Sequence, residues 1–151
     1  MKVVMALGSN LGDREANIEG AVAELNKIME ITHLSSLIQT DPVGGPAQPQ
    51  YLNAVAIGES DLSPEELLQE ALRIESELGR VRLEKWGPRI IDIDLITVGD
   101  IVMNSETLTL PHPFAHLRSF VLAPWAEIEP DATLPGWGSI SALLSDLEER
   151  E

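Results

Sequence analysis

Apolar and polar positions change period several times along the chain, and each change marks an element. Residues 3–7 form a continuous apolar run that reads as a short strand, and Gly8-Ser9-Asn10-Leu11-Gly12-Asp13 turns out of it. Ile18, Ala21, Val22, Leu25 and Ile28 then recur at helical spacing. An amphipathic helix is therefore predicted over 13–29, with Asp13 as its N-cap and Glu15 in its first turn. Residues 31–40 read as a second, weaker strand. Residues 41–49 carry three prolines and two glycines, a long loop of the kind that often has a function. It leads into a third strand at 51–57. Ser63-Pro64-Glu65-Glu66 is a helix start, with Ser63 as cap, Pro64 at the first position and Glu66 completing a capping box. Leu67, Leu68, Ala71, Leu72, Ile74 and Leu78 form the apolar face of that helix, Glu75 and Glu77 read as solvated charges, and Gly79 stops it. Gly87-Pro88 is a break, and the β-branched run 90–98 is a fourth strand that Gly99-Asp100 turns into a hairpin with 101–103. A helix is predicted at about 115–125, with Arg118 and Ser119 exposed and Leu117, Phe120 and Val121 available to pack. A terminal amphipathic helix follows over 139–147, then a charged tail at 148–151.

The order β-α-β-β-α-β with a C-terminal extension predicts an α+β fold, a ferredoxin-like sandwich whose sheet is largely antiparallel. At 151 residues, with no repeat or linker, the chain is expected to be one domain over 1–151. It has no cysteine, which excludes disulfides and thiolate metal sites. The run 3–7 is too short for a signal peptide or a membrane span, so a cytoplasmic protein without membrane contact is expected. The net charge of −15 argues against nucleic acid as a partner. It also makes a polyanionic ligand awkward, except that four of the ten Lys and Arg residues fall within 80–89. Such a local positive patch can bind polyphosphate while an acidic exterior keeps the protein soluble.

That patch runs straight into Asp92 and Asp94. On a strand, residues two apart share a face, so these carboxylates point the same way about 7 Å apart at the backbone. Ile91, Ile93 and Leu95 take the other face, while Ile90 and Ile96 flank the carboxylates on their own. Like charges beside apolar neighbours repel unless a cation compensates. A hard ion such as Mg²⁺, held by one or two carboxylates and substrate phosphates, is the usual solution. Arg80, Arg82, Lys85 and Arg89 suit phosphate oxygens. An isolated Asp-x-Asp is ordinarily a solvated face, but the combination points to phosphoryl chemistry.

Elsewhere the residues leave alternatives open. The strand, Gly-rich turn and helix at 3–29 lack both common nucleotide-loop patterns, so the turn is read as structural. Tyr51, the only tyrosine, shares a strand face with Asn53, which suits either core packing or a flat ligand read by an amide. His112 and His116 have the spacing of helical zinc ligands, but Pro111 and Pro113 keep His112 out of a helix.

The pattern Arg80-x-Arg82-x-x-x-Trp86-Gly87-Pro88-Arg89-x-x-Asp92-x-Asp94 resembles the signature of the 6-hydroxymethyl-7,8-dihydropterin pyrophosphokinases. Ala6-Leu7-Gly8-Ser9-Asn10-Leu11-Gly12-Asp13 is similar to that family's opening, and Pro111-His112 followed by Arg118-x-Phe120 matches it further on. The resemblance extends from residue 5 to about residue 130. It implies transfer of pyrophosphate from ATP to the hydroxymethyl oxygen of the pterin, with release of AMP. Two Mg²⁺ ions on Asp92 and Asp94 are implied, with Arg82 and Arg89 completing the catalytic set. ATP would be bound by Arg82, Trp86, Arg89, His112 and Arg118. The pterin would be held by Thr40, Val43, Tyr51, Asn53 and Phe120, with Phe120 stacking opposite the Tyr51 side. The segment 79–89 would act as a lid that brings in Arg82 and Trp86. Two departures from the family are Lys85, where arginine is frequent, and a loop about one residue short. No general base is assigned, and a monomer is expected. Two readings from other classes stand beside this one: a Mg²⁺-dependent phosphohydrolase using the same Asp pair, and a non-catalytic regulatory module that binds a metabolite.

Overall fold

The central strand β1 (Lys2–Ser9) is buried from Val3 to Ser9 on both of its faces. That explains why its sequence is an unbroken apolar run rather than an alternation. The structure is a computed structural model that describes residues 1–40, 50–79 and 90–149. β1 is followed by α1 (Arg14–Leu25), β2 (Glu30–Leu34), β3 (Ile38–Thr40), β4 (Tyr51–Glu59), α2 (Pro64–Leu78) and β5 (Asp92–Val98). The main sheet has the order β2-β4-β1-β5, with β3 also on β4, and every pairing in it is antiparallel. Two short ribbons follow, β6 (Met103–Asn104) with β7 (Thr109–Leu110), and β8 (Thr133–Leu134) with β9 (Gly138–Ser139). The remaining helices are α3 (Ser119–Ile128) and α4 (Ile140–Glu149). The architecture is α+β, an antiparallel sheet with four α-helices among the described residues.

Two cores flank the sheet. On one side Val3, Met5, Leu7, Ala54, Ala56, Ile93 and Leu95 meet α1 and α2 through Ile18, Ala21, Leu25, Leu67, Ala71 and Ile74. On the other, Val4, Ala6, Val55, Ile57 and Ile96 meet α3 and α4 through Val121, Leu122, Trp125 and Ile140. The C-terminal extension thus covers one end of the second face of the sheet.

Local chemistry accounts for the element boundaries. Asp13 caps α1 by accepting from the Ala16 N–H at 3.1 Å. Ser63 and Glu66 form the reciprocal capping box, at 3.0 and 3.2 Å. Several expectations are corrected. α1 ends at Leu25, not 29, and 26–29 form turns beyond it. The strand expected over 31–40 is two strands. Ser35 is buried there, and its hydroxyl accepts from the Val55 N–H at 2.9 Å in place of a ladder carbonyl. The turn at Gly99 (φ 55°) exists, but Met103–Asn104 pairs with β7 and not with β5. The helix expected at 115–125 is a 3₁₀ turn (Ala115–Leu117), an extended Arg118 (φ −113°, ψ 100°), and then α3; Leu117 is exposed rather than packed. The β8–β9 ribbon was not foreseen. No helix among the described residues is long and apolar enough to cross a membrane.

Trp125 is the largest side chain fully buried in the second core, 1% exposed, and its indole N–H donates to Glu129 at 3.1 Å. Glu129 also pairs with Lys2 at the start of β1. Trp125→Ala is expected to lower unfolding free energy by about 3–5 kcal/mol through the cavity it leaves. Ser63→Ala, which removes only a cap, should cost about 1 kcal/mol. Urea titration of both variants checks the ranking, and equal losses would contradict this account of the core.

Candidate functional site

The cores do not extend along the whole second face of the sheet. Val4, Val55, Ile57 and Ile96 lie under α3 and α4, but further along the same strands the face carries Gly8, Asn53, Tyr51, Asp92 and Asp94. Antiparallel register sets Gly8 opposite Asn53 on one side and Asp92 on the other, and Ala6 opposite Asp94. Cross-strand partners share a face, so these residues form one floor. The result is a cavity of about 170 Å³ lined by Ala6, Leu7, Gly8, Thr40, Tyr51, Asn53, Asp92, Asp94, Arg118 and Phe120. β3 brings Thr40 opposite Tyr51, and the start of α3 brings Arg118 and Phe120 over the floor.

Gly8 was read as part of a tight turn, but it lies within β1 and forms the floor of the cavity. A Cβ there would stand 2.9 Å from the Asn53 Oδ1 and 3.3 Å from the Tyr51 ring. The missing side chain is what lets the amide and the ring converge. Asn53 is buried, and its Nδ2 donates to the Thr40 hydroxyl at 2.5 Å. The amide is therefore held in one orientation, with a phenol ring beside it and Phe120 across the cavity. An aromatic slot with fixed polar groups suits a flat, hydrogen-bonding heterocycle.

The other half of the cavity is charged. Asp92 and Asp94 are half-buried and aim the same way. The Tyr51 hydroxyl donates to Asp92 at 3.3 Å, which links the aromatic slot to the carboxylates. Arg118 stands 3.7 Å from Asp94. At that length and exposure an ion pair contributes at most about 1 kcal/mol, so Arg118 can exchange Asp94 for another anion. Among the described residues no group of three or more His, Cys, Asp or Glu could enclose a metal. A pair of carboxylates fits Mg²⁺, which takes one or two protein carboxylates and fills its shell with substrate oxygens and water. The donor set does not resemble a zinc site, and His112 and His116 do not combine as one.

A second cleft, about 240 Å³, lies on the other side of Asp94 and is lined by Leu68, Ile93, Leu95, Ser105 to Thr109, His112 and Pro113. The backbone of His112 is tied to the sheet by an irregularity in β5. Register shifts between Val4 and Met5 so that Ile96 falls between paired residues, and its carbonyl accepts from the His112 N–H at 2.9 Å. The Phe114 N–H donates to His112 Nδ1 at 3.1 Å, so the ring proton resides on Nε2. Burial pushes the His112 imidazole below its ordinary range; Asp94 opposes this and Arg118 adds to it. A neutral His112 with Nε2–H is a donor suited to a phosphate oxygen.

Of the residues singled out from the sequence, Thr40, Tyr51, Asn53, Asp92, Asp94, Arg118 and Phe120 line one cavity, and His112 lines the adjoining cleft. Val43, Arg82, Trp86 and Arg89, and nearly all of the 79–89 segment, lie outside the described residues. Glu75 was read as solvated, yet its carboxylate accepts from the Ile93 N–H at 2.7 Å, the amide between the two aspartates. Nothing in the helical pattern distinguished it from Glu77, which pairs with Arg73 at 2.9 Å.

Comparison with known proteins identifies the family. A family model described as 7,8-dihydro-6-hydroxymethylpterin-pyrophosphokinase (HPPK) matches residues 4–130. A 2-amino-4-hydroxy-6-hydroxymethyldihydropteridine pyrophosphokinase of Synechocystis sp. is 46% identical over 148 residues, covering 96% of this chain and 75% of the relative. The protein of the same name from Haemophilus influenzae is 40% identical over 150 residues, covering 97% and 93%. Among solved structures, an HPPK-DHPS in complex with substrates superposes with a TM-score of 0.79 at 11% identity, covering 99% of this chain. A Plasmodium falciparum HPPK-DHPS gives 0.80 at 14%. This chain spans 43% and 42% of those two chains, and at such identity the likeness shows the fold alone. With the family model covering most of its length and two relatives at 40% identity or more, the chain belongs to the 7,8-dihydro-6-hydroxymethylpterin-pyrophosphokinase family.

Proposed function

We infer that this chain transfers the β,γ-pyrophosphoryl group of ATP to the hydroxymethyl oxygen of 6-hydroxymethyl-7,8-dihydropterin, giving the pterin diphosphate and AMP for folate biosynthesis. The observation that carries the reading is a single cavity, in a member of this family, with an aromatic, amide-lined half and a carboxylate-lined half. The pterin occupies the first half, between Tyr51 and Phe120, with the Asn53 amide and Thr40 at its edge. The nucleotide lies on the Asp94 side, where its phosphates meet His112 and Arg118. The hydroxymethyl group then sits at the boundary and faces the β-phosphorus. The oxygen–phosphorus bond forms as the bond from that phosphorus to the bridging oxygen of AMP breaks, and the hydroxyl proton passes to solvent.

The chain's own residues supply position and charge. Asp92 and Asp94 would hold the magnesium, which when bound neutralises the polyphosphate and makes its phosphorus more electrophilic. Two ions are part of the proposal, because two carboxylates and a polyphosphate offer oxygens for more than one octahedral ion. His112 donates through Nε2, and Arg118 leaves Asp94 for a phosphate oxygen. Sequence resemblance alone assigns Val43 to the pterin, and Arg82, Trp86 and Arg89 to the nucleotide, with Arg82 and Arg89 in the catalytic set. We further read 1–151 as one domain, and the strand order with its two crossover helices as a ferredoxin-like core. We also read the protein as a monomer. The cytoplasm, where ATP is maintained, is its place.

AMP formation from ATP and Mg²⁺, measured with and without the pterin, tests the assignment. Release only with pterin is expected, and Asp94→Ala should reduce it by about 10²- to 10⁴-fold. AMP or phosphate released without pterin would favour a hydrolase, and no turnover by the folded protein would favour a binding module. Gly8→Ala should act on one substrate only. The added methyl displaces the Asn53 amide, so the pterin KM is expected to rise roughly tenfold while the ATP KM holds. An unchanged pterin KM would place the heterocycle elsewhere.

A further inference from the structure

The phosphate-side donors share one neighbour that belongs to neither core. Phe114 is 53% exposed and packs in neither hydrophobic cluster. Its ring instead meets His112 edge-on, with centroids 6.1 Å apart and planes at 62°. The Arg118 guanidinium lies over the same ring at 5.7 Å, and over Phe120 at 5.5 Å. The Phe114 backbone adds the N–H that fixes the His112 tautomer, and its carbonyl accepts from Leu117 to start the 3₁₀ turn that leads to Arg118. One exposed residue thus touches both His112 and Arg118.

Arginine gains from an aromatic face because the ring quadrupole attracts the cation and the flat guanidinium stacks on it, and neither contact uses an N–H. A guanidinium held this way keeps all five donors for an anion. Left with Asp94 at 3.7 Å and the Phe120 ring at 5.5 Å, the half-buried guanidinium would sample more rotamers and lose that freedom on binding. We propose that Phe114 is a positioning residue for the ATP polyphosphate, its ring holding Arg118 and His112 in the geometry in which both donate to phosphate. This rests on the pyrophosphokinase reading. It assigns a role to the π-face of this residue rather than to its bulk.

The distinction gives the test. Phe114→Leu keeps an apolar side chain and the backbone N–H but removes the π-face, whereas Phe114→Tyr keeps all three. Affinity for the Mg²⁺ complex of α,β-methylene-ATP, measured by calorimetry, should fall about three- to fivefold in the leucine variant and stay at the wild-type value in the tyrosine variant. The pterin KM and Tm should hold in both. In an Arg118→Ala background the leucine substitution should lose the part of its effect that runs through Arg118, because only His112 is then left for the ring to position. Wild-type affinity in Phe114→Leu overturns the proposal. So does an undiminished effect without Arg118, or a fall in Tm that accompanies the lost affinity in both variants. If wild-type protein releases no AMP in response to pterin, the functional reading fails instead; the activity assay registers that separately from the calorimetry.

Discussion

β1 is held between β4 and β5 by antiparallel ladders, and its side chains on one face shrink from Val4 through Ala6 to Gly8. At the large end, α3 and α4 press Leu122, Trp125 and Ile140 onto the sheet and expel water. At the small end, among the described residues, the helices reach the floor only through the start of α3, and the space that larger side chains would fill is the cavity. A single sheet face therefore serves as core at one end and as binding surface at the other. The dense packing of the first half is what holds the second rigid. Polar groups at the cavity floor are borne by strands whose neighbouring residues are locked in the core, so their positions follow from register rather than from flexible loops.

Electrostatics set a second constraint on the same surface. The chain carries a net charge of −15 and binds a polyanion. It places Asp92 and Asp94 side by side on one strand face, where a cation delivered with the substrate would compensate them and take the place of Arg118 on Asp94. The long Arg118–Asp94 pair and the tautomer of His112 are consistent with a site set up for that exchange: a weakly committed guanidinium and a neutral imidazole donor. The Tyr51 hydroxyl on Asp92 joins the apolar slot to the carboxylates, so the two halves of the cavity share one continuous lining.

The segment from His112 to Phe120 connects these parts, and a non-ladder interaction anchors it at each point. The bulged carbonyl of Ile96 holds His112, the Phe114 ring contacts His112 and Arg118, and Trp137 stacks on His116 at 3.7 Å from the outer ribbon. Irregular backbone at a site is costly unless its surroundings over-determine it. Here a β-bulge, a 3₁₀ turn and two aromatic contacts do so.

Much of this was written into the sequence. The capping box at Ser63, the Asp13 cap, the apolar run of β1 and the alternation of Asp92 and Asp94 against Ile93 and Leu95 are local, because hydrogen bonds within a turn and the period of a strand depend only on near neighbours. The grouping of Tyr51 with Asn53, and of Asp92 with Asp94, followed for the same reason. The break at Ser35 was not legible, since it answers an N–H twenty residues away, on Val55. Nor was the partner of Met103, the straightening of Arg118, or the role of Glu75 against Ile93. Gly8 was taken for a turn because its reason for being glycine, the closeness of Asn53 and Tyr51, lies on another strand. The sequence by itself determined the central strands, the starts of α1 and α2, the paired carboxylates and the family. Only the tertiary structure decided which side chains face one another across the cavity, because that depends on register and on which half of a shared sheet face the C-terminal helices leave open.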